Sequence, residues 1–436
     1  MKSIGIIAEY NPFHNGHAHQ LSFLKEQGAD TIVVALSGCF VQRGTPAWTD
    51  KYLRTRMALQ QGADFVFELP TLFALSSAEG FAFGGVSLLN ALPLDGICFG
   101  SECGTLTPLE TIADFLSRHD NTGDTVSSHT ADTFHQKLQQ QIRKGLSFPA
   151  AREQALQDFF PELLSQNPGL LSSANNILAI EYLKAAKKLQ SPLRAITLSR
   201  TDAGYHSRRI DRHSKNASAS AIRKSYADTS SLQNCRHTLP EAVYDLLEKN
   251  PLRYPVELDD FSASIYLCLR QAKKPEDYAS YGDISPELAR RMWNCLPEYT
   301  SASSFIEQIK TKNITYHRIS RGLMHLLLHI TTEQLHQSQK GVPYLRLLGM
   351  RKEKSSFLRQ INTLPVITKV ADYLAVLSDF YLNQEHSTDA QKQSGLAYAL
   401  DCFQTDLLAA DIYRQTVFQK LGCLLPDEYR SGIQMI

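Results

Sequence analysis

An apolar run from Ile4 to Ala8 gives way to a polar turn holding Asn11, Pro12 and Gly16, and a helical pattern begins there with His14 and His17 three residues apart. A strand that delivers a glycine-containing turn to a helix start gathers unbonded backbone N–H groups and the positive end of the helix dipole at one point. That point is an anion site made of main chain. Histidines beside it can donate hydrogen bonds to oxygens on which charge develops. The competing readings are a satisfied surface pair or half of a zinc site. Zinc needs a further ligand, and the nearby His19 falls on a different helical face from His17. Strand, turn, glycine and both histidines occurring in this order favour the anion site.

The remaining chain is too long for one ordinary core: 436 residues predict two or three domains. With 43% hydrophobic and 20% charged residues it reads as soluble and globular. No apolar run approaches the roughly 20 residues of a membrane span, and the N-terminus enters a strand without a secretion-signal pattern. Its eight cysteines are scattered without a C-x-x-C pair, as expected of reduced thiols in the cytoplasm, and no metal site is expected. Charge is uneven. Residues 1–110 hold six Lys/Arg against ten Asp/Glu, whereas 200–224 hold seven against two and 305–360 hold ten against three. Such basic stretches point to a polyanionic partner, with solvated helical faces as the alternative.

Strand patterns at 3–9, 31–37, 64–69, 96–100 and 193–198 alternate with helical patterns at 16–27, 50–61, 76–90, 175–189 and 218–228. This alternation predicts an α/β domain with a parallel sheet over residues 1–230, interrupted by a helical insertion near 105–166. Residues 231–436 read as mainly helical, with a small strand-and-helix subdomain from about 360. Ligands of parallel sheets bind beyond the carboxyl ends of the strands. The loops after four predicted strands, at 9–14, 37–43, 100–103 and 199–204, converge on that edge.

Each loop carries candidate chemistry. In Ser37-Gly38-Cys39-Phe40-Val41-Gln42-Arg43-Gly44 the glycines permit turns while Gln42 and Arg43 face a substrate. Glu68 is expected to cap a helix or pair with Arg54 or Arg56, and Gly100 to allow close approach of a ligand. Asn175 or Asn176 is expected to be an N-cap. Arg200 ends the fifth strand pointing at the ligand edge. Ser218 and Ser220, with Arg223 one turn later, form a second anion cradle at a helix start, the alternative being a plain N-cap with a surface arginine.

The turn resembles the HxGH signature of the nucleotidyltransferase superfamily, whose fold is a parallel HUP/Rossmann-like sheet. The segment 217–224 resembles the motif closing that superfamily's ATP site, with Ala217, Ala219 and Ser220 departing from its usual residues. GIIAEYNPFHNGHAHQL at 5–21, LSGCFVQRGTPAWTDKYLRTRMAL at 36–59, FGSE at 99–102, ANNILAIEYL at 174–183, SASAIRK at 218–224 and PYLRLLGM at 343–350 together resemble one bacterial family, the tRNA(Met) cytidine acetate ligases. The resemblance runs collinearly to about residue 350.

It implies that ATP and acetate form acetyl-adenylate and diphosphate, and that the N4 amine of the wobble cytidine of elongator tRNA(Met) then takes the acetyl group and releases AMP. It implies an ATP site of Ile7, Ala8, Glu9, Tyr10, Asn11, Pro12, Phe13, His14, Asn15, Gly16, His17, Ala18, His19 and Gln20 with Gly100, Asn175 and Arg200. His14 and His17 are the catalytic candidates, the cradle argument adds Ser220 and Arg223, and Mg2+ is expected with the nucleotide. Candidate tRNA phosphate contacts are Arg208, Arg209, Arg212, Lys215, Lys310, Lys312, Arg318, Arg321, Arg351, Lys352 and Lys354, with Tyr316 and His317 placed to stack on anticodon bases. A monomer is the simplest expectation. The rival readings are an enzyme that adenylylates a small metabolite and an RNA-binding protein with a degenerate nucleotide site.

Overall fold

The computed structural model describes residues 2–119, 129–146, 148–199, 215–384 and 387–436. Its centre is one sheet of eight strands: β1 (Ser3–Ala8), β2 (Thr31–Ser37), β3 (Phe65–Leu69), β4 (Gly96–Ser101), β5 (Arg194–Ser199), β6 (Leu345–Met350), β7 (Val366–Ile367) and β8 (Gln434–Met435). The order is β8-β6-β3-β2-β1-β4-β5, with β7 beside β6. Neighbours run parallel except β3 and β6, which pair antiparallel.

Both faces of the sheet are covered, which is why β2 reads as an almost unbroken apolar run. Ile32, Val34 and Leu36 pack with Leu21 and Leu24 of α1 (Asn15–Glu26) and with Leu53 and Met57 of α2 (Lys51–Gln60). Val33 and Ala35 belong to the core on the other face, with Val86 of α3 (Ala78–Asn90) and Ile180 of α4 (Ala174–Lys188). Helix α3 comes close because Gly85 meets β1 without a side chain: a Cβ there would stand 2.5 Å from the Ile7 side chain. From β1 the chain steps to β2 on one side and, later, to β4 on the other. This reversal opens a crevice at the carboxyl end of β1, where the His14–His17 turn lies.

The five predicted strands and their helices form within two residues of the expected limits. Helices Leu106–His119, His129–Arg143, Phe148–Gln157 and Pro161–Gln166 occupy the expected insertion. The expectation that strands end near residue 230 is corrected, because β6, β7 and β8 complete the sheet. The strand and helix after residue 360 form, but in the body of the molecule: β7 pairs with β6, and Tyr373 of Tyr373–Leu382 stacks on Phe403 of the long helix Asp389–Leu421. A short apolar run containing a charge, as in Leu-Arg-Leu-Leu-Gly-Met, carries no periodicity that marks it as strand. Among the described residues no helix is long and apolar enough to cross a membrane.

That charge, Arg346, is what joins β6 to the sheet. It is buried and meets Glu68 at 3.1 Å and Glu428, while Lys51 meets Glu68 at 2.8 Å and Glu428 at 2.9 Å. Glu68 thus pairs with Lys51 and Arg346 rather than with Arg54 or Arg56. Two cations and two carboxylates share one dry compartment. Burial would raise the Glu428 carboxyl, but Lys51 and Arg346 hold it down to about 2. Removing one member strands an uncompensated buried charge, so Arg346→Met is expected to lower unfolding stability by about 3–5 kcal/mol in urea titration. A carboxyl depressed on folding contributes stability above its unfolded pKa. That contribution fades as pH falls from about 4.5 toward about 2. Glu428→Gln should flatten the stability profile over that window, and a variant as pH-dependent as the parent protein would contradict the assignment.

Candidate active site at the carboxyl ends of the central strands

After Ala8 the chain turns through Tyr10, whose φ of 47° is left-handed. Tyr10 and Phe13 are buried with ring centroids 4.7 Å apart, anchoring the turn from below. His14 is then the N-cap of α1. Its Nδ1 accepts the Gly16 N–H at 3.1 Å, and Nδ1 of His17 accepts the His14 N–H at 3.2 Å. The two imidazoles form a reciprocal capping box and stack with centroids 3.7 Å apart. Because each Nδ1 is an acceptor, the proton of each neutral ring sits on Nε2. The same backbone bonds that start the helix therefore fix two Nε2–H donors beside its N-terminus.

The rest of the turn is secured to its surroundings. Asn15 donates to the carbonyls of Lys215 at 2.7 Å and His237 at 3.0 Å. Gln20 donates to the Cys98 carbonyl on β4 at 3.3 Å. Asn11 accepts the Trp48 N–H at 2.7 Å, and its own carbonyl accepts from Arg223. Ile7, Ala8, Glu9, Gly16, His17 and Ala18 are half-buried, and His19 is exposed.

Beneath the turn lies Arg54, fully buried on α2. Its guanidinium donates to the carbonyls of Glu9 and Ser37, both at 2.8 Å, of Thr49 at 3.0 Å, and of Gly38. Sequence reasoning considered Arg54 only as a partner for Glu68. Its place among Leu53, Met57 and Ala58 on the apolar side of α2 was the available signal. Next to it, the Gln42 N–H donates to the Glu9 carboxylate at 3.0 Å.

On the other side of the crevice, Glu102 caps α4 from outside the helix. Its carboxylate accepts the Asn175 N–H at 3.2 Å, the Asn175 side-chain amide at 2.7 Å and the Asn176 N–H at 2.8 Å. Asn176 returns the bond, accepting from the Glu102 and Cys103 N–H groups at 2.9 and 3.2 Å. Neither asparagine is the N-cap, a position held by Ser173 without a side-chain bond. A cap supplied by a distant loop cannot be read from helix sequence. Gly100 is half-buried on β4, two residues before that carboxylate. Helix α5 (Ala219–Thr229) starts at Ser218, which accepts the Ala221 N–H and lies 3.0 Å from the exposed Ser220 hydroxyl. The bond from Arg223 to the Asn11 carbonyl brings this second helix start to the first.

Arg200, Arg208, Arg209 and Arg212 lie outside the described residues. Of the other basic candidates, Lys215 sits beside Asn15, and Lys310, which pairs with Glu307, and the exposed Lys312 lead into α6 (Tyr316–Leu327). In the first turns of α6, Arg318 donates to the Asp283 carbonyl at 3.3 Å. Arg321 is buried and grips both Asp283 carboxylate oxygens at 2.7 and 3.2 Å, so its guanidinium serves the fold. Arg351 donates to the carbonyls of Ala63 and Leu59, and Lys354 to that of Asp30. Those acceptors precede β3 and β2, so antiparallel β6 delivers Arg351, Lys352 and Lys354 to the amino-end edge, opposite the histidines. A cavity of about 760 Å³ between α3, α4 and residues 332–339 is bordered by Asp283 and includes none of the expected ATP-site residues.

Comparison with known proteins gives the family and the fold. The family model described as HIGH Nucleotidyl Transferase matches residues 1–422. A relative from Clostridium perfringens named tRNA(Met) cytidine acetate ligase is 36% identical over 369 residues, 83% of this chain and 87% of its own length. One of the same name from a Thermoanaerobacter species is 35% identical over 422 residues, 95% of each chain. The apo crystal structure of Thermotoga maritima TmcAL is similar over 100% of both chains with a TM-score of 0.86 at 28% identity. Its complex with alpha-thio ATP gives 0.85 at 29% identity, over 100% of this chain and 99% of that one. With its histidine-capped helix at the switch point of a parallel sheet, this chain belongs to the HIGH nucleotidyl transferases and, among them, to the tRNA(Met) cytidine acetate ligase family.

Proposed function

We propose that this protein activates acetate with ATP and transfers the acetyl group to N4 of the wobble cytidine, C34, of elongator tRNA(Met). The observation that carries the proposal is the reciprocal imidazole cap of α1, which fixes two Nε2–H donors at a helix N-terminus. In the first step an acetate oxygen bonds to the α-phosphorus of ATP and the bond to the β-phosphate oxygen breaks, releasing diphosphate. No enzyme nucleophile is needed. The step requires alignment of the reactants and stabilisation of charge on the phosphoryl oxygens. His14 and His17 supply the second requirement, and the Ser220–Arg223 helix start supplies further donors. Mg2+ would come with the nucleotide rather than from a dedicated protein site, and would supply neutralisation of phosphate charge. In the second step the cytidine amine attacks the acetyl carbon, its proton is lost, and the bond to AMP breaks.

The tRNA is held by Lys215, beside the turn, and by Lys310, Lys312 and Arg318 before and within the start of α6, together with Arg208, Arg209 and Arg212. Phosphate contacts of this kind position the RNA rather than select it. On this reading the enzyme works as a monomer in the cytoplasm.

Incubation of bulk tRNA with ATP and labelled acetate tests the proposal. Label is expected in elongator tRNA(Met). ATP cleavage without labelled RNA, in the presence of intact substrate tRNA, would instead favour adenylylation of a small metabolite. His14→Ala and His17→Ala should each lower acetate-dependent exchange of diphosphate into ATP by about 10²–10³-fold. His14→Asn separates the two roles of the residue: asparagine is a good N-cap but offers no Nε2–H. Its melting temperature is expected close to that of the parent protein while exchange falls about as far as in His14→Ala. Retained activity in His14→Asn would assign the histidine to capping alone.

A further inference from the structure

Gln42, Arg43 and Gly44 lie beside the nucleotide turn, yet adenylation gives Arg43 no task. The loop is held at both ends. Gln42 is bonded through its N–H to Glu9 at 3.0 Å. Gly44, at φ 78°, lies so close to α6 that a Cβ would stand 2.3 Å from the Arg321 nitrogen, and its carbonyl accepts from Ser320 at 2.6 Å. Between these anchors Arg43 is exposed and forms no ion pair among the described residues. Its neighbour is His317 in the first turn of α6. Partial loss of hydration, and next the charge of Arg43, hold that imidazole below its usual pKa against a hydrogen bond to the Arg43 main chain.

Among the described residues, carboxylates on the surrounding elements have partners of their own. Asp283 is gripped by Arg321, Glu9 by Gln42, Asp259 by Ser303 at 2.5 Å and 2.7 Å, and Glu307 by Lys310. An exposed guanidinium on an anchored loop, with an imidazole beside it and no ion-pair partner among the described residues, is a place for an external anion. Its loop is bonded directly to the turn that carries the histidines, so an anion there would border the nucleotide site.

We propose that Arg43 binds a backbone phosphate of the single-stranded RNA segment next to the reacting base, and so positions the acceptor amine for the transfer step. The inference rests on the ligase reading above and concerns a residue outside the ATP site. Arg rather than Lys suits the role because its planar fork meets phosphate oxygens in pairs.

The test measures the two half-reactions separately in the full-length protein: acetate-dependent exchange of diphosphate into ATP, and transfer of labelled acetyl to purified elongator tRNA(Met) over a range of salt. For Arg43→Ala, KM for tRNA is expected to rise on the order of tenfold, with transfer falling at least ten times further than exchange. The slope of log affinity against log salt should shrink by about one. Arg43→Lys should recover part of the loss, and melting curves of both variants should overlay that of the parent protein. Equal losses in exchange and transfer, or an unchanged KM and salt slope, would overturn the assignment. Failure of the parent protein to exchange diphosphate with acetate would overturn the ligase reading and this inference together.

Discussion

The Arg54 guanidinium fixes the geometry on which the site depends. It is sealed from solvent, bonded to four carbonyl oxygens at the ends of β1 and β2 and in the loops that follow. Burial lowers its pKa, but an arginine side chain stays protonated in proteins. A permanent positive charge therefore sits beneath the crevice. The planar trans peptide makes each anchored carbonyl orient the N–H of the next residue the opposite way. Drawing the oxygens of Glu9, Ser37 and Gly38 toward Arg54 turns the N–H groups of Tyr10, Gly38 and Cys39 away from it. One buried side chain thus orders three consecutive-strand peptides as donors. A lysine in its place offers three donors without the planar fork and could not span the same four acceptors.

The loop that Arg54 organises is also where the later half of the chain is attached. Asp50 caps α2 by accepting the N–H groups of Tyr52 and Leu53, and is gripped in turn by Arg253 at 2.5 and 2.7 Å. Tyr413, on the long C-terminal helix, donates to the Ala47 carbonyl at 2.9 Å, and Ser320 to that of Gly44. Together with Arg346 on β6, these bonds make the helical half a wall of the catalytic sheet rather than an appendage. A few hydrogen-bonded steps connect the helices to the histidine turn, among them the bond from Trp48 to Asn11.

This explains which features were legible beforehand. Strand β1, the turn and α1 are adjacent in sequence, so pattern and chemistry reported the same object. The same holds for Ser218 as the start of α5. What could not be read depends on direction or on distant partners. The charge of Arg351, Lys352 and Lys354 is visible in sequence, but their edge of the sheet follows from β6 running antiparallel to β3. Glu102 as the cap of α4, and Arg346 as the partner of Glu68, join residues more than seventy positions apart. Asn175 and Asn176 look like caps by residue type, but the Glu102 carboxylate, from the loop after β4, accepts their N–H groups instead.

Electrostatics divides the work along the chain. Residues 1–110 carry ten acidic against six basic side chains, so long-range attraction cannot be what brings a polyphosphate to the site they form. On the proposed reading its affinity for anions arises at short range, from helix N-termini and from the two Nε2–H donors. Such dipoles act within a turn of helix and favour charge at a fixed point, which is what a developing phosphoryl charge requires. The basic excess lies in the later segments, of which Lys310, Lys312 and Arg318 stand before and within the start of α6, while Arg346 is buried in β6 and Arg351, Lys352 and Lys354 lie at the opposite edge of the sheet. On the proposed reading short-range dipoles serve the nucleotide and net charge serves the RNA, and the loop from Gln42 to Gly44, bonded to Glu9 on one side and to α6 on the other, lies between the two.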